Sequence, residues 1–320
     1  MIQKQFKVFI AISLLLTVGV LSCNQAPIRE EINHKDNAFA VSEQGKDSHI
    51  KFPYQTETWQ IIGDDIVAKS SDSDSLYIMI SCSELRSKGV FGKLGHGPNE
   101  FISPQLFSGK DNEPMIIDNG NKKIYNYANS KISQIGTLQS KDAVNDIKTL
   151  SYPIVAYSTI TPNEQCFKII DITTGKQSDS IAFVDNSNKG KSSLYEFAWN
   201  RHENKIVIAH MYSDKFIVCE TDNHGKLTEK KSFQTDGKFS NEKMYFSDVA
   251  CGDYVYLLSQ KGVDLNNFTG HSDIEIYDYN GKPIKKISLN YISDKMLLDN
   301  SNHRLLMTSV SDEYLHSISL

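Results

Sequence analysis

The chain has 320 residues, of which 39% are hydrophobic and 23% charged, and its net charge is −5. This composition is that of a globular protein without a basic excess, so nucleic acid is excluded as a predicted partner. The 5 cysteines include no C-x-x-C pair and none near a histidine at metal-binding spacing, so no metal site is predicted.

The first 22 residues have the pattern of an export signal. Lys4 and Lys7 precede an apolar run at 8–21, which is shorter than the roughly 20 residues that span a bilayer but fits a signal peptide. A small residue and then Cys23 end this run, which resembles the lipobox of bacterial lipoproteins. The resemblance implies cleavage before Cys23 and lipid on its sulfur. An ordinary secretory signal and a buried apolar segment are the alternatives, and both explain the pattern less completely.

Residues 23–49 are polar, charged and poor in aromatic side chains, so they cannot bury enough apolar surface to fold alone. We predict a lipidated, flexible tether here, between a signal peptide at 1–22 and a single domain at 50–320. The expected location is the cell envelope, at the outer membrane, with the periplasmic or surface-facing side left open.

The region after residue 50 lacks helical periodicity and consists of short apolar runs separated by Gly, Asn and Asp. This alternation predicts an all-β domain. The clearest strands are residues 59–62, 76–80, 115–117, 205–209 and 254–258.

A unit recurs in which an apolar strand ends in an acidic residue, a turn carries Gly-Lys, and a second strand follows. Its glycines are Gly175, Gly225 and Gly281, about 50 residues apart, which is the repeat length of propeller blades. Glycine permits the positive φ of a hairpin turn. Dividing the domain by about 45 to 50 residues per blade gives five to six blades, and of these we predict a six-bladed β-propeller.

Closure of such a ring is expected to involve both ends of the domain. The last two apolar runs, 304–308 and 314–318, leave little room for a complete blade. We therefore predict that a strand between Thr58 and Ala68 completes the last sheet and removes an open edge.

Three segments resemble the TolB-like six-bladed β-propeller lipoproteins of Bacteroidota. They are the loop 92–101, the blade formed by 248–258 with 274–287, and the final run 296–306. The resemblance implies a six-bladed propeller on a lipid anchor. It brings no established catalytic residues.

One loop stands out as a candidate ligand-binding or structural loop. Its backbone N–H groups and polar side chains suit a ligand at a propeller mouth, whereas glycine and proline also fix a sharp turn whatever the chemistry. We favour the structural role. The loop consists of Gly95, His96, Gly97, Pro98, Asn99, Glu100 and Phe101.

Other candidate groups are dispersed along the chain. His202 and His210 are too far apart for a ready metal chelate, and Tyr195 and Tyr245 are candidate contacts for sugar or peptide on a loop face. No cofactor is predicted.

The cysteines of the domain are expected in its core with their pairing open, and its carboxylates are expected at turns and blade edges rather than as a catalytic pair. The cysteines are Cys82, Cys166, Cys219 and Cys251, and the carboxylates include Asp72, Asp74, Asp118, Asp248 and Asp278.

The sequence contains no G-x-S-x-G elbow and no recognisable nucleophile, base and acid set. We therefore predict that the protein is not an enzyme. Its expected role is a membrane-anchored binding or scaffold module for an envelope protein, peptide or glycan. The alternative is a polysaccharide-active glycosidase or lyase that uses carboxylates at the propeller channel.

Overall fold

The computed structural model of the protein describes residues 30–34, 39, 42–44, 47–51, 56–70, 75–97, 99–140, 142–161, 164–184, 194–239 and 243–320. The predicted signal peptide, Cys23 and Pro98 lie outside these residues. Two short 3-10 helices, Lys110–Asn112 and Asn300–Asn302, are the helical elements of the described ranges. No helix in these ranges has both the length and the hydrophobicity to cross a bilayer.

Six antiparallel sheets follow one another along the chain as blades. Blade 1 comprises Thr56–Ile62, Asp65–Ser70, Tyr77–Ser81 and Ser87–Phe91. Blade 2 comprises Pro104–Ser108, Pro114–Asp118, Lys123–Ala128 and Lys131–Thr137. Blade 3 comprises Asp146–Ser151, Ile154–Thr161, Glu164–Asp171 and Gln177–Val184.

The remaining three blades repeat this order. Blade 4 comprises Tyr195–Asn200, Lys205–His210, Ser213–Thr221 and Leu227–Phe239. Blade 5 comprises Phe246–Cys251, Val255–Ser259, Asp273–Tyr277 and Pro283–Ser288. Blade 6 comprises Met296–Asp299, Arg304–Thr308, Tyr314–Ser319 and Asp47–Lys51. Two small pairs lie outside the blades: Lys93–Leu94 with Glu100–Phe101, and Val263–Asp264 with Thr269–Gly270.

The first strands of neighbouring blades contact one another in a closed cycle, from blade 1 through blade 6 and back to blade 1. These six strands are therefore the inner wall of a ring. The all-β, six-bladed propeller predicted from the sequence is confirmed.

Strand direction gives the ring two different faces. Because the strands of a blade alternate in direction, the inner strands begin at one face, which we call the mouth face. The turns after the first and third strands lie at the other face, which we call the turn face. The three Gly-Lys turns predicted from the sequence, 172–176, 222–226 and 278–282, belong to the turn face.

These turns are built by a recurring hydrogen-bond pattern. Asp278 accepts hydrogen bonds from the backbone N–H groups of Asn280 and Lys282, both at 2.9 Å, and Gly281 has a φ of 78°. Asp222 accepts from His224 and Lys226 in the same way. The acidic residue of the sequence repeat therefore closes the turn.

Apolar side chains between neighbouring blades form the core. Phe167 of blade 3 and Phe197 of blade 4 meet edge to face, with ring centroids 5.1 Å apart, and both are buried. Each such contact buries apolar surface on the facing sides of two neighbouring blades, which would otherwise be exposed to water.

The strand that closes the ring differs from the prediction. Asp47–Lys51 pairs antiparallel with Tyr314–Ser319, whereas the segment between Thr58 and Ala68 supplies two strands of blade 1. The physical reason is burial: Ile66, Val67 and Ala68 are fully buried and need neighbours on both sides, which an outermost strand lacks. The expectation that both ends of the domain take part is confirmed.

Two further strands pair along the outer edge of the ring. Glu30–His34 lies parallel to Leu227–Phe239 of blade 4, and Ser42–Gln44 lies parallel to Pro283–Ser288 of blade 5. Both strands lie within the segment predicted as a tether. Their pairing covers the outer edges of blades 4 and 5.

Candidate functional site

The centre of the ring holds a cavity of about 630 Å³. Residues of the inner strand of every blade line it, as expected where six strands meet around one axis. A pocket of this size fits a small organic molecule.

Charged side chains gather on one part of the wall. Asp146 and Lys148 come from blade 3, Glu196 from blade 4 and Asp248 from blade 5, and Lys295 directly precedes the inner strand of blade 6. All five lie within the first three positions of an inner strand or just before it. They therefore cluster at the mouth face, and we call them the charged mouth.

Two ion pairs connect this cluster. Lys295 Nζ lies 3.2 Å from Glu196 Oε1, which joins blade 6 to blade 4, and Lys148 Nζ lies 3.4 Å from Asp146 Oδ2 within blade 3. The side chain of Glu196 keeps 25% of its exposure, on the channel side, while protein surrounds it elsewhere. Its carboxyl is therefore accessible to a ligand in the cavity.

Glu196 has a pKa that is shifted into the neutral range. Burial raises the pKa of the Glu196 carboxyl to about 7, the charges of Asp248 and Asp146 add to this rise, and Lys295 and Lys148 oppose it. A carboxyl with this pKa exists in both protonation states at neutral pH. It can accept a proton and give it back, which is the requirement for acid-base catalysis.

The two lysines stay charged. Burial alone lowers the pKa of Lys295, but the carboxylates of Asp248 and Glu196 outweigh it, and the net pKa is raised. For Lys148, burial is likewise opposed by Asp146, Asp248 and Glu196, and its pKa is also raised. The mouth thus keeps two permanent cations beside a titratable carboxyl.

Asp248 has a positioning role in this cluster. Its Oδ2 accepts a hydrogen bond from the backbone N–H of Met296 at 2.7 Å, and its Oδ1 accepts from its neighbour Val249 at 2.8 Å. Burial raises its pKa, whereas Lys295 and the Met296 N–H lower it. The contact to Met296 fixes the start of the blade 6 inner strand, and with it the backbone of Lys295.

The opposite part of the wall consists mainly of uncharged polar groups, together with Lys69 of blade 1. Blades 1 and 2 contribute Thr58, Gln60, Gln105 and Ser108, whose amide and hydroxyl groups form hydrogen bonds without formal charge, along with the indole ring of Trp59. The cavity therefore concentrates its charged side chains on blades 3 to 6, and blades 1 and 2 add uncharged polar groups and Lys69.

The predicted loop occupies the connection between blades 1 and 2. Gly97 N–H donates to Glu100 Oε2 at 2.8 Å, Gly95 N–H donates to the Phe101 carbonyl at 3.0 Å, and Phe101 is fully buried against Tyr125. His96 and Asn99 are exposed. None of the described loop residues lines the cavity, and the choice between ligand and structural loop stays a prediction.

Of the carboxylates named from the sequence, Asp248 lines the cavity. Asp118 is fully buried and accepts backbone hydrogen bonds from Ile102, Ser103 and Gly120, and Asp278 closes a turn. Asp72 and Asp74 lie outside the described residues. The structure therefore brings only one of the described members of this set to the channel.

Tyr195 also lines the cavity, but it differs from the expectation of an exposed loop side chain. It belongs to the inner strand of blade 4, is 3% exposed, and packs against Phe183 with ring centroids 4.7 Å apart. Tyr245 is half-buried just before the inner strand of blade 5.

Sequence reasoning missed Asp146, Lys148, Glu196 and Lys295. None belongs to a recognisable motif, and Glu196 stands alone between Tyr195 and Phe197. The signal available in the sequence was their position near the start of an inner strand, which becomes visible only when the blades are aligned with one another.

No cluster of three or more His, Cys, Asp and Glu side chains in the described ranges is arranged to hold a metal ion. The four cysteines in these ranges carry no disulfide bond. Cys82, Cys219 and Cys251 are buried and Cys166 is half-buried.

Comparisons with known proteins give the fold. No family model and no curated protein matches the chain. Regucalcin, a calcium-binding protein from Agrobacterium tumefaciens, is similar in structure with a TM-score of 0.58 and 10% identity, over 88% of this chain and 96% of that one.

Two further structures resemble the chain. A gluconolactonase from Xanthomonas campestris has a TM-score of 0.54 and 10% identity, over 90% of this chain and 94% of that one. A member of the duf4221 family from Bacteroides vulgatus has a TM-score of 0.51 and 10% identity, over 87% and 98%. At these identities the likeness concerns the fold.

The prediction that the protein is not an enzyme is contradicted by these comparisons, since a gluconolactonase is among the structures that share the fold. That prediction relied on the absence of a linear catalytic motif. In a propeller, ionisable groups reach one cavity from separate blades, so an active site leaves no such motif. The charged mouth, drawn from four blades, has this arrangement.

Proposed function

We propose that this protein is a hydrolase whose active site is the charged mouth, and that it cleaves an ester or lactone small enough to enter the cavity. The observation that carries the proposal is the Glu196 carboxyl, which faces the channel with a pKa of about 7 and lies 3.2 Å from Lys295. A base of this pKa is matched to proton transfer from water at neutral pH.

The chemistry follows from the charges around the cavity. Ionised Glu196 takes a proton from water, and the hydroxide formed attacks the carbonyl carbon of the substrate. The electron pair of the C=O bond moves to its oxygen, where Lys148 and Lys295 stabilise the negative charge. The bond to the leaving oxygen then breaks as the carbonyl re-forms, and protonated Glu196 returns its proton to that oxygen.

The lysines favour this reaction over glycoside hydrolysis. A glycosidase passes through an oxocarbenium-like transition state, which carries positive charge. Two permanent cations at the mouth destabilise such a state and stabilise an oxyanion. The fold is also that of a gluconolactonase, whose name describes action on a lactone.

The experiment is a hydrolysis assay with a panel of lactones and esters of sugar acids. Glu196→Gln removes the base and is expected to lower kcat by about 10²- to 10⁴-fold. Glu203→Gln is the matched control, because Glu203 is an exposed glutamate of the same blade in the turn that follows the inner strand. Unchanged turnover in Glu196→Gln, or no hydrolysis of any panel member by the native protein, would contradict the proposal.

We further propose that the protein is a lipoprotein of the TolB-like propeller type, attached through Cys23 to the outer membrane of a Bacteroidota cell envelope. The basic, apolar and small-residue pattern before Cys23 supports the attachment. The similar fold of a protein from Bacteroides vulgatus is compatible with this origin. The substrate is then an envelope compound, and glycan or peptide derivatives are the candidates.

A further inference from the structure

The N-terminal strand of the described residues has a defined direction on the ring. Glu30 pairs with Lys230 and His34 pairs with Gln234, so Glu30–His34 runs parallel to the outer strand of blade 4. That outer strand begins at Leu227, directly after the turn 222–226, and runs towards the mouth face.

A parallel partner must run the same way. The chain therefore enters Glu30–His34 from the side of the turn face and moves towards the mouth face. Glu196 lies near the start of the inner strand of blade 4, at the opposite end of that blade. Glu30 and Glu196 thus belong to opposite sides of the ring.

Cys23 precedes Glu30 by few residues. Seven peptide units span at most about 25 Å even when fully extended. A lipid on Cys23 is consequently restricted to the surroundings of Glu30, at the outer edge of blade 4.

We infer that the lipid holds the ring by the edge of its turn face, so that the charged mouth points away from the membrane. This inference rests on the proposed lipid anchor. In this orientation the substrate enters the cavity from the aqueous side, and the turns 172–176, 222–226 and 278–282 face the lipid headgroups.

Förster resonance energy transfer from a donor dye on the protein to an acceptor dye on the lipid headgroups measures this orientation directly. Lys226 and Lys243 are both exposed, and they flank the two ends of the same outer strand, Leu227–Phe239. Lys226→Cys and Lys243→Cys, each made in a Cys166→Ser background, carry one donor dye in the full-length lipidated protein. Vesicles of phosphatidylethanolamine and phosphatidylglycerol carry an acceptor on the headgroup.

Transfer from position 226 is expected to exceed transfer from position 243, and Cys23→Ala is expected to abolish both. Equal transfer, or greater transfer from position 243, would overturn the orientation while leaving the anchor intact. Failure of the lipidated protein to bind the vesicles would instead overturn the anchor, and the orientation with it.

Discussion

Opposing influences act on the carboxyl of Glu196. Burial and the neighbouring carboxylates favour its protonated form, whereas Lys295 and Lys148 favour its ionised form, and the balance leaves the pKa near 7. The nearest of these groups is Lys295, at 3.2 Å. In the proposed mechanism, any change to Lys295 should therefore alter the pH range in which Glu196 can act as a base.

Lys295→Met tests this dependence. Loss of the cation removes an influence that lowers the Glu196 pKa, so the pKa rises above 7 and a smaller fraction is ionised at neutral pH. The acidic limb of the kcat/KM profile is expected to move to higher pH, with reduced activity at pH 7. Lys205→Met, which disrupts an ion pair with Glu203 in the turn after the inner strand, is the control. An unmoved acidic limb would exclude Glu196 as the titrating base.

At the scale of elements, the sequence predicts turns more readily than it predicts the side chains of the proposed active site. Asp278 and Gly281 are readable because each acts on its own turn, where the carboxylate caps nearby N–H groups and the glycine accepts a φ of 78°. Three such turns at blade spacing predict the repeat and the fold. Glu196 and Lys295 have no such local role, since their contact depends on two blades far apart in sequence.

The closing strand escaped prediction for a related reason. Asp47–Lys51 is mostly polar, with Ile50 as its single aliphatic residue, so its sequence carries no apolar pattern. The segment from Thr58 to Ala68 has the stronger strand pattern because its apolar residues at 62 and 66–68 are buried in blade 1. A hydrophobic pattern reports burial and does not report which sheet a strand joins.

Gly281→Ala tests the packing of the repeated turn. A Cβ at this position would fall within the van der Waals radius of the Phe233 ring of blade 4, in a backbone conformation that favours glycine. We expect a loss of about 1 to 3 kcal/mol in the free energy of unfolding, measured by urea denaturation.

Gly136→Ala provides the comparison for that measurement. Its Cβ would meet only Ile124 Cδ1, at 3.8 Å, which is ordinary contact. Stability is expected to change little there. An equally small effect at Gly281 would show that the turn does not pack tightly on blade 4.

The whole molecule is a ring with a charged opening at one face, and the proposed attachment through Cys23 decides where that opening acts. Removal of the acceptor sulfur by Cys23→Ala is expected to leave a folded, active protein that no longer sediments with membranes. Fractionation of the envelope, with activity assayed in each fraction, measures this. Cys166→Ser, which alters a half-buried cysteine of blade 3, should keep the native distribution. Membrane partition of Cys23→Ala would refute the anchor.

The pairing of Asp47 with Ile318 joins positions almost a full chain length apart. Such contacts form late, because a large loop must close before they contribute any stability. During synthesis the three C-terminal strands of blade 6 appear last, and until then the early segment Asp47–Lys51 has no sheet to complete. If the chain is exported as we propose, the ring therefore closes only after the last strands have crossed the membrane.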